Sequence, residues 1–233
     1  QQMLRLGCEI VEPKKAEDPS IELIGYTQVG YDIPPLQTYL DGCGDWIDWV
    51  SVHAYPSGSG ERFLEPGGYF KRLDGAVDGI RRLKAWLDGY RTRLKNRKLR
   101  LMITEWNMMG DADAQEFFDP FAGVWAANFL LEMASLGIPR LNYFRLTGGA
   151  GEGRVLVDHD RSQVRPSFAA FWLARHLLPR RLVPLARDGG GDLVRAYAGL
   201  LEDGRKVLWV LNRSDKLALD VSPQDFPPGA WSR

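Results

Sequence analysis

The sequence predicts an α/β protein built on a parallel sheet, followed by a small antiparallel β unit. Three observations carry this prediction. Short apolar runs alternate with longer amphipathic segments over most of the 233 residues, which is the rhythm of βαβ units. The second of these runs is continuously apolar rather than alternating, as a strand covered on both faces requires. Beyond Pro184 the rhythm changes to strand, turn, strand, with no helix between.

The elements follow in order. After a helix-like opening, Asp18-Pro19-Ser20 breaks the pattern, and residues 21–25 read as a short buried strand ending on Gly25. Residues 36–40 look helical, with Gly42 and Gly44 as the stop, and residues 46–53 form a second apolar strand. From 75 to 94, Val77, Ile80, Leu83, Trp86, Leu87, Tyr90 and Leu94 recur at three- and four-residue steps, an amphipathic helix. Residues 99–104 are a third strand. Residues 121–136 give an Ala-, Leu- and Phe-rich helix closed by Gly137, with Pro139 just beyond. Residues 140–146 are the fourth strand, and Pro166 opens a helix through Leu178. In the tail, residues 193–200 and 206–212 flank the turn Glu202-Asp203-Gly204, and residues 217–221 offer a third strand.

Composition narrows the function. Lys plus Arg and Asp plus Glu each total 30, so the net charge is zero and no global field draws in nucleic acid or an anionic membrane. A neutral partner such as a sugar fits. The basic run from 91 to 100, with Arg93, Lys95, Arg97 and Lys98, sits where a helix ends and reads as cations facing water near a negative helix terminus. No stretch approaches the ~20 apolar residues of a membrane span. Cys8 and Cys43 have no metal-ligand spacing and are too few for a disulfide framework. Whether they pair stays open. So does the compartment, secreted or cytoplasmic, because the chain begins with Gln1 rather than Met.

Reactive side chains in parallel α/β proteins gather where strands end, because there the backbone leaves the core and polar groups meet substrate. The second strand ends in Ser51-Val52-His53-Ala54-Tyr55, the third in Thr104-Glu105-Trp106-Asn107, and the fourth contains Asn142-Tyr143-Phe144-Arg145. Glu105 is the sharpest signal, since a carboxylate straight after an apolar strand needs bonds or a task to offset its desolvation. His53 and Tyr55 are two apart and point the same way on an extended strand, so both are expected in one pocket with Glu105. Trp106 is a candidate platform for a sugar ring and Asn107 a donor to a hydroxyl. Tyr143 and Arg145 are further candidates for substrate contact, although Arg145 can equally pair with a buried Asp.

With its His-x-Tyr at 53–55 and Thr-Glu-Trp-Asn at 104–107, the chain resembles the clan A glycoside hydrolases, above all families 39 and 51, the β-xylosidase and α-L-arabinofuranosidase types. The resemblance runs from about Asp18 to Asn212. It implies a (β/α)₈ barrel whose strands five to eight are the four strands above, followed by part of a β-sandwich, with domains at 1–182 and 183–233. It also implies a retaining mechanism with Glu105 as nucleophile, the other residues orienting it or binding an oligosaccharide or glycoside, and neither a metal nor an organic cofactor. The family's acid/base is a Glu directly after an Asn, and no Asn here is followed by Glu. Four barrel strands leave two open edges and an uncovered apolar face, so the chain is expected to be a fragment completed by its N-terminal half or another chain. Two other readings are open. One is a carbohydrate-binding protein without catalysis, and the other a metal-dependent hydrolase using His53, Glu105 and His159.

Overall fold

A computed structural model describes residues 2–57, 66–94, 98–108, 115–149, 151–160, 162–185, 191–214, 216 and 218. Its first helix, α1 (Gln2–Glu17), leads to β1 (Ile24–Val29), α2 (Ile33–Cys43), β2 (Trp49–Ala54), α3 (Pro66–Tyr90), β3 (Arg100–Trp106), α4 (Pro120–Ser135) and β4 (Leu141–Tyr143). β1 to β4 make one parallel sheet in sequence order, as the βαβ rhythm predicts. Three two-residue strands follow, β5 (Thr147–Gly148), β6 (Val157–Asp158) and β7 (Gln163–Val164), and then α5 (Pro166–Leu177). A second sheet, antiparallel, takes β8 (Arg181–Pro184), β9 (Val194–Leu200) and β10 (Lys206–Asn212) in the order β10-β9-β8.

The strand boundaries differ from the sequence reading in instructive ways. β1 starts three residues later than expected and runs through Gly25 instead of ending there. A methyl group at Gly25 would come within 2.5 Å of both Ile47 Cδ1 and Tyr39 Oη, so this glycine allows the strand to pack closely against α2 and its exit. β2 is buried at every position except the half-buried His53, as its apolar run requires. β4 is shorter than expected because the chain leaves the sheet at Phe144. α3 begins near Pro66 rather than Gly75, since glycines obscure a first half whose Tyr69, Phe70 and Leu73 continue the buried stripe. α4 starts at Pro120, one residue before the expected 121: Asp119 caps Phe121 N–H at 3.0 Å, Pro120 takes the first turn, and Gly137 follows the helix at φ 69°.

Cys8 and Cys43 form a disulfide that joins α1 to α2. The antiparallel sheet has its third strand at β8, which the sequence reading missed. Of the strand expected at 217–221, all but Ala218 lies outside the described residues.

A buried polar network fastens this sheet to the helices. Arg213, 3% exposed, donates to both carboxylate oxygens of Asp74 on α3, at 2.8 and 2.6 Å, and to Asn128 Oδ1 on α4 at 2.7 Å. Arg195 reaches the same Asp74 at 2.9 Å, and the Tyr197 hydroxyl donates to Glu132 at 2.6 Å. Groups this deep are tolerated because each is paired.

Candidate active site

The site forms at the carboxyl ends of β2 and β3. Val50 pairs with Leu101 and Val52 with Ile103, but His53 then pairs with Glu105, so Thr104 is an extra residue in β3. Such a bulge re-aims whatever follows it. Strict alternation from Ile103, which is buried among the helices, would turn Glu105 toward them as well. With the extra residue, Thr104 and Glu105 both face the side of Ser51 and His53: Thr104 Oγ1 bonds Ser51 Oγ at 3.2 Å, which in turn lies 2.6 Å from Thr27 Oγ1.

Glu105 is thus held by the two residues that the spacing placed beside it. The Tyr55 hydroxyl donates to Glu105 Oε2 at 3.0 Å, and His53 Nδ1 lies 3.4 Å from the same oxygen. The carboxylate side chain keeps 34% of its surface exposed, so it is reachable from the cleft. Burial pushes the Tyr55 phenol well above its ordinary range, and the bond to Glu105 adds to the rise, while the nearby charge of Arg154 opposes it. Tyr55 is therefore a fixed donor that leaves the second carboxylate oxygen unengaged by it.

Trp106 and Asn107 do not face this cleft, which corrects their expected roles. Trp106 is fully buried and stacks on Phe129 of α4 at 4.6 Å and on Phe171 of α5 at 5.8 Å, because the position after Glu105 returns to the helical face. No sugar ring can lie on it. Asn107 is 2% exposed, and its amide hydrogens go to the carbonyls of Phe144 and Arg154 at 2.7 and 3.0 Å. Tyr143 is the register partner of Trp106 and lies edge-on to it at 5.0 Å, its hydroxyl buried, so it too belongs to the aromatic layer. Burial raises its phenol.

Arg145 is half exposed and pairs with Glu152 instead of an Asp. Glu152 also meets Arg154 at 3.4 Å, and both guanidinium groups lie over the Phe144 ring, at 5.9 and 5.3 Å. Glu152 and Arg154 escaped the sequence reading because they sit in a glycine-rich segment with no periodicity. A lone acid followed two residues later by Arg was the only signal. His159 is exposed, bonded to the Gly148 carbonyl at 2.6 Å and to Asp160 at 2.7 Å. It is the imidazole of a turn.

No protein-family model matches the chain. It is 28% identical over 109 residues to the intracellular exo-α-(1→5)-L-arabinofuranosidase of Acetivibrio thermocellus, which covers 45% of this chain and 21% of that one. Among solved structures it is similar to the GH51 arabinofuranosidase of Xanthomonas axonopodis pv. citri, with a TM-score of 0.65 at 14% identity over 90% of this chain and 48% of that one. It is also similar to a 4-O-α-L-rhamnosyl-β-D-glucuronidase of Fusarium oxysporum, with TM-score 0.63, 13% identity, and coverage of 90% and 45%. A third likeness is to a GH39 β-xylosidase of Caulobacter crescentus, with TM-score 0.54, 15% identity, and coverage of 84% and 42%. The chain spans about half the length, or less, of each of these relatives. At such identities the structural likenesses establish a shared fold, and that fold is the one that glycoside hydrolases of families 39 and 51 use, the two families to which the strand-end motifs point.

Proposed function

We propose that this chain carries the nucleophile of a retaining glycoside hydrolase, with Glu105 in that role. The observation that carries the reading is the carboxylate of Glu105 at a parallel strand's end, oriented by the Tyr55 hydroxyl and open to the cleft. The relatives' activities on arabinofuranosides and xylosides support an oligosaccharide or glycoside as substrate. On this reading β1 to β4 are strands five to eight of a (β/α)₈ barrel. The catalytic part comprises residues 1–182, residues 183–233 belong to a β-sandwich, and the other barrel half comes from outside the chain.

The chemistry follows from one carboxylate here and one elsewhere. A Glu105 oxygen attacks the anomeric carbon, a carbon–oxygen bond to the sugar forms, and the bond to the departing oxygen breaks. That oxygen takes its proton from an acid ~5–5.5 Å from the nucleophile, which no Asn-Glu pair in this chain supplies. Water, deprotonated by the same group, then attacks the glycosyl-enzyme and releases Glu105 with configuration retained.

A 2-deoxy-2-fluoroglycosyl fluoride tests this directly, because fluoride departs without protonation and the acid is not needed. The full-length protein that contains this chain is incubated with the arabinofuranosyl and xylosyl reagents, and labelled peptides are mapped by mass spectrometry. A glycosyl mass on Glu105, absent in Glu105→Gln, is expected. Sugar binding by titration without labelling by any reagent of this kind would instead favour a carbohydrate-binding protein without catalysis.

A further inference from the structure

Asn107 is tied into the scaffold at the point where three segments of the site meet. Its backbone N–H donates to the Ala54 carbonyl at 3.2 Å. Its side-chain amide donates to the carbonyls of Phe144 at 2.7 Å and Arg154 at 3.0 Å. Its Oδ1 accepts from Met108 N–H at 2.7 Å. Tyr55 follows Ala54, Arg145 follows Phe144, and Glu105 lies two residues before Asn107 itself.

We propose that Asn107 is a positioning residue that fixes the separation between the Tyr55–Glu105 pair and the wall formed by Arg145, Glu152 and Arg154. The inference rests on Glu105 as the nucleophile. Asn107 touches no reacting atom. It acts through the two carbonyls it holds.

The residue type is dictated by the bonds. Two partly buried carbonyls, of which that of Arg154 also accepts from Arg145 N–H at 3.2 Å, take two donors here, and a neighbouring buried N–H needs an acceptor, all at short reach from one Cα. Only a side-chain amide of Asn length meets all three demands. Asp has the same shape and no donor when ionised, and Leu fills the space with neither donor nor acceptor.

The wall behaves as one block. Glu152 binds both Arg145 and Arg154, and Arg165, itself 5% exposed, donates to Asp158 at 3.0 Å and to the Glu152 carbonyl at 3.4 Å. Beside the Asn107 amide, Phe144 N–H joins this block to β3 by donating to the Trp106 carbonyl at 3.1 Å. Without the amide, the block keeps its internal bonds but hangs on β3 by the Phe144 N–H and the β3–β4 ladder alone, so its distance from Glu105 is less tightly set. A misplacement of ~1 Å at a reacting centre costs roughly 10²-fold in rate.

The test uses Asn107→Asp and Asn107→Leu in the full-length protein, with amide hydrogen exchange over residues 144–158 read by mass spectrometry. Both variants are expected to exchange about tenfold faster there, while α4 keeps its protection. In the same proteins, labelling of Glu105 by the fluoroglycosyl fluoride is expected to slow roughly 10²-fold at saturation, with the half-saturating concentration little changed. Two volume-filling variants that exchange like wild type would overturn the proposal, since that is what a space-filling Asn predicts. Faster exchange with an undiminished saturating rate would also overturn it. Failure of the wild type to label counts against the glycosidase reading alone, because exchange reads the anchoring without any sugar.

Discussion

The Tyr55 hydroxyl and Glu105 Oε2 stand 3.0 Å apart, across the ends of two neighbouring parallel strands. The bond exists only while the phenol keeps its proton, and burial together with the adjacent carboxylate holds the phenol above its ordinary value. The sign is that of a group whose neutral form the fold prefers. Its stabilisation is fully present below the unfolded phenol value of about 10 and is lost as pH rises through the folded value. Tyrosinate absorbance of wild type and Tyr55→Phe should therefore superimpose up to about pH 10, the unfolded value. A tyrosinate missing from the variant below that pH would contradict the arrangement.

The same bond sets an expectation for reactivity. A hydrogen bond to a charged acceptor is worth about 1.5–3 kcal/mol. Tyr55→Phe leaves the ring and removes that donor, so the carboxylate is less firmly aimed. Labelling of Glu105 should slow by about ten- to a hundredfold, with the melting temperature lowered by several degrees. An unaltered rate would mean that Tyr55 packs beside Glu105 without orienting it.

Trp106 gives a prediction opposite to the one its sequence context suggests. As a sugar platform it would be needed for affinity and dispensable for folding. In the aromatic layer with Trp125, Phe129 and Phe171 it is the reverse. Trp106→Ala should cost about 3–5 kcal/mol of stability by urea denaturation, while Trp106→Phe, which keeps a ring in the layer, should leave sugar affinity unchanged. A Phe variant that folds normally and loses sugar binding would return Trp106 to the cleft.

These residues show which parts of the molecule are legible in sequence. The βαβ rhythm is legible because short apolar runs alternate with amphipathic helices, and each run found a strand, although only β2 is buried along nearly all its length. The pairing of His53 and Tyr55 with Glu105 is legible because side chains on a strand repeat every two residues. The facing of Trp106 and Asn107 is not, since the extra residue at Thr104 shows only when β2 and β3 are laid side by side. Glu152 and Arg154 are hidden for a different reason: their partners are Arg145 and the Asn107 amide, contacts across a loop that carries no periodic signal. β8 is four residues long, and two of its side chains are charged or proline, so it lacks an apolar pattern of its own.

The contact between the antiparallel sheet and the helices yields a further expectation for stability. Arg213 comes from the end of β10, yet its guanidinium spans Asp74 of α3 and Asn128 of α4, with Phe70 beneath it at 5.1 Å. Removing the arginine strands Asp74 with Arg195 alone and leaves Asn128 Oδ1 without this donor. Because Asp74 keeps about a third of its side chain exposed and retains Arg195, the loss falls below that of a fully buried pair, at about 2–3 kcal/mol. Arg213→Ala should therefore lower the urea midpoint by that equivalent at unchanged slope. Arg213→Lys should recover only part of the loss, because an ammonium cannot serve both oxygens of Asp74 and the Asn128 carbonyl in one plane. The double variant Asp74→Ala with Arg213→Ala should be less destabilised than the sum of the two single changes, since the second removes the charge that the first left unpaired. Strict additivity would mean that the two residues stabilise the fold independently, and that the sheet is held to α3 and α4 by its apolar contacts.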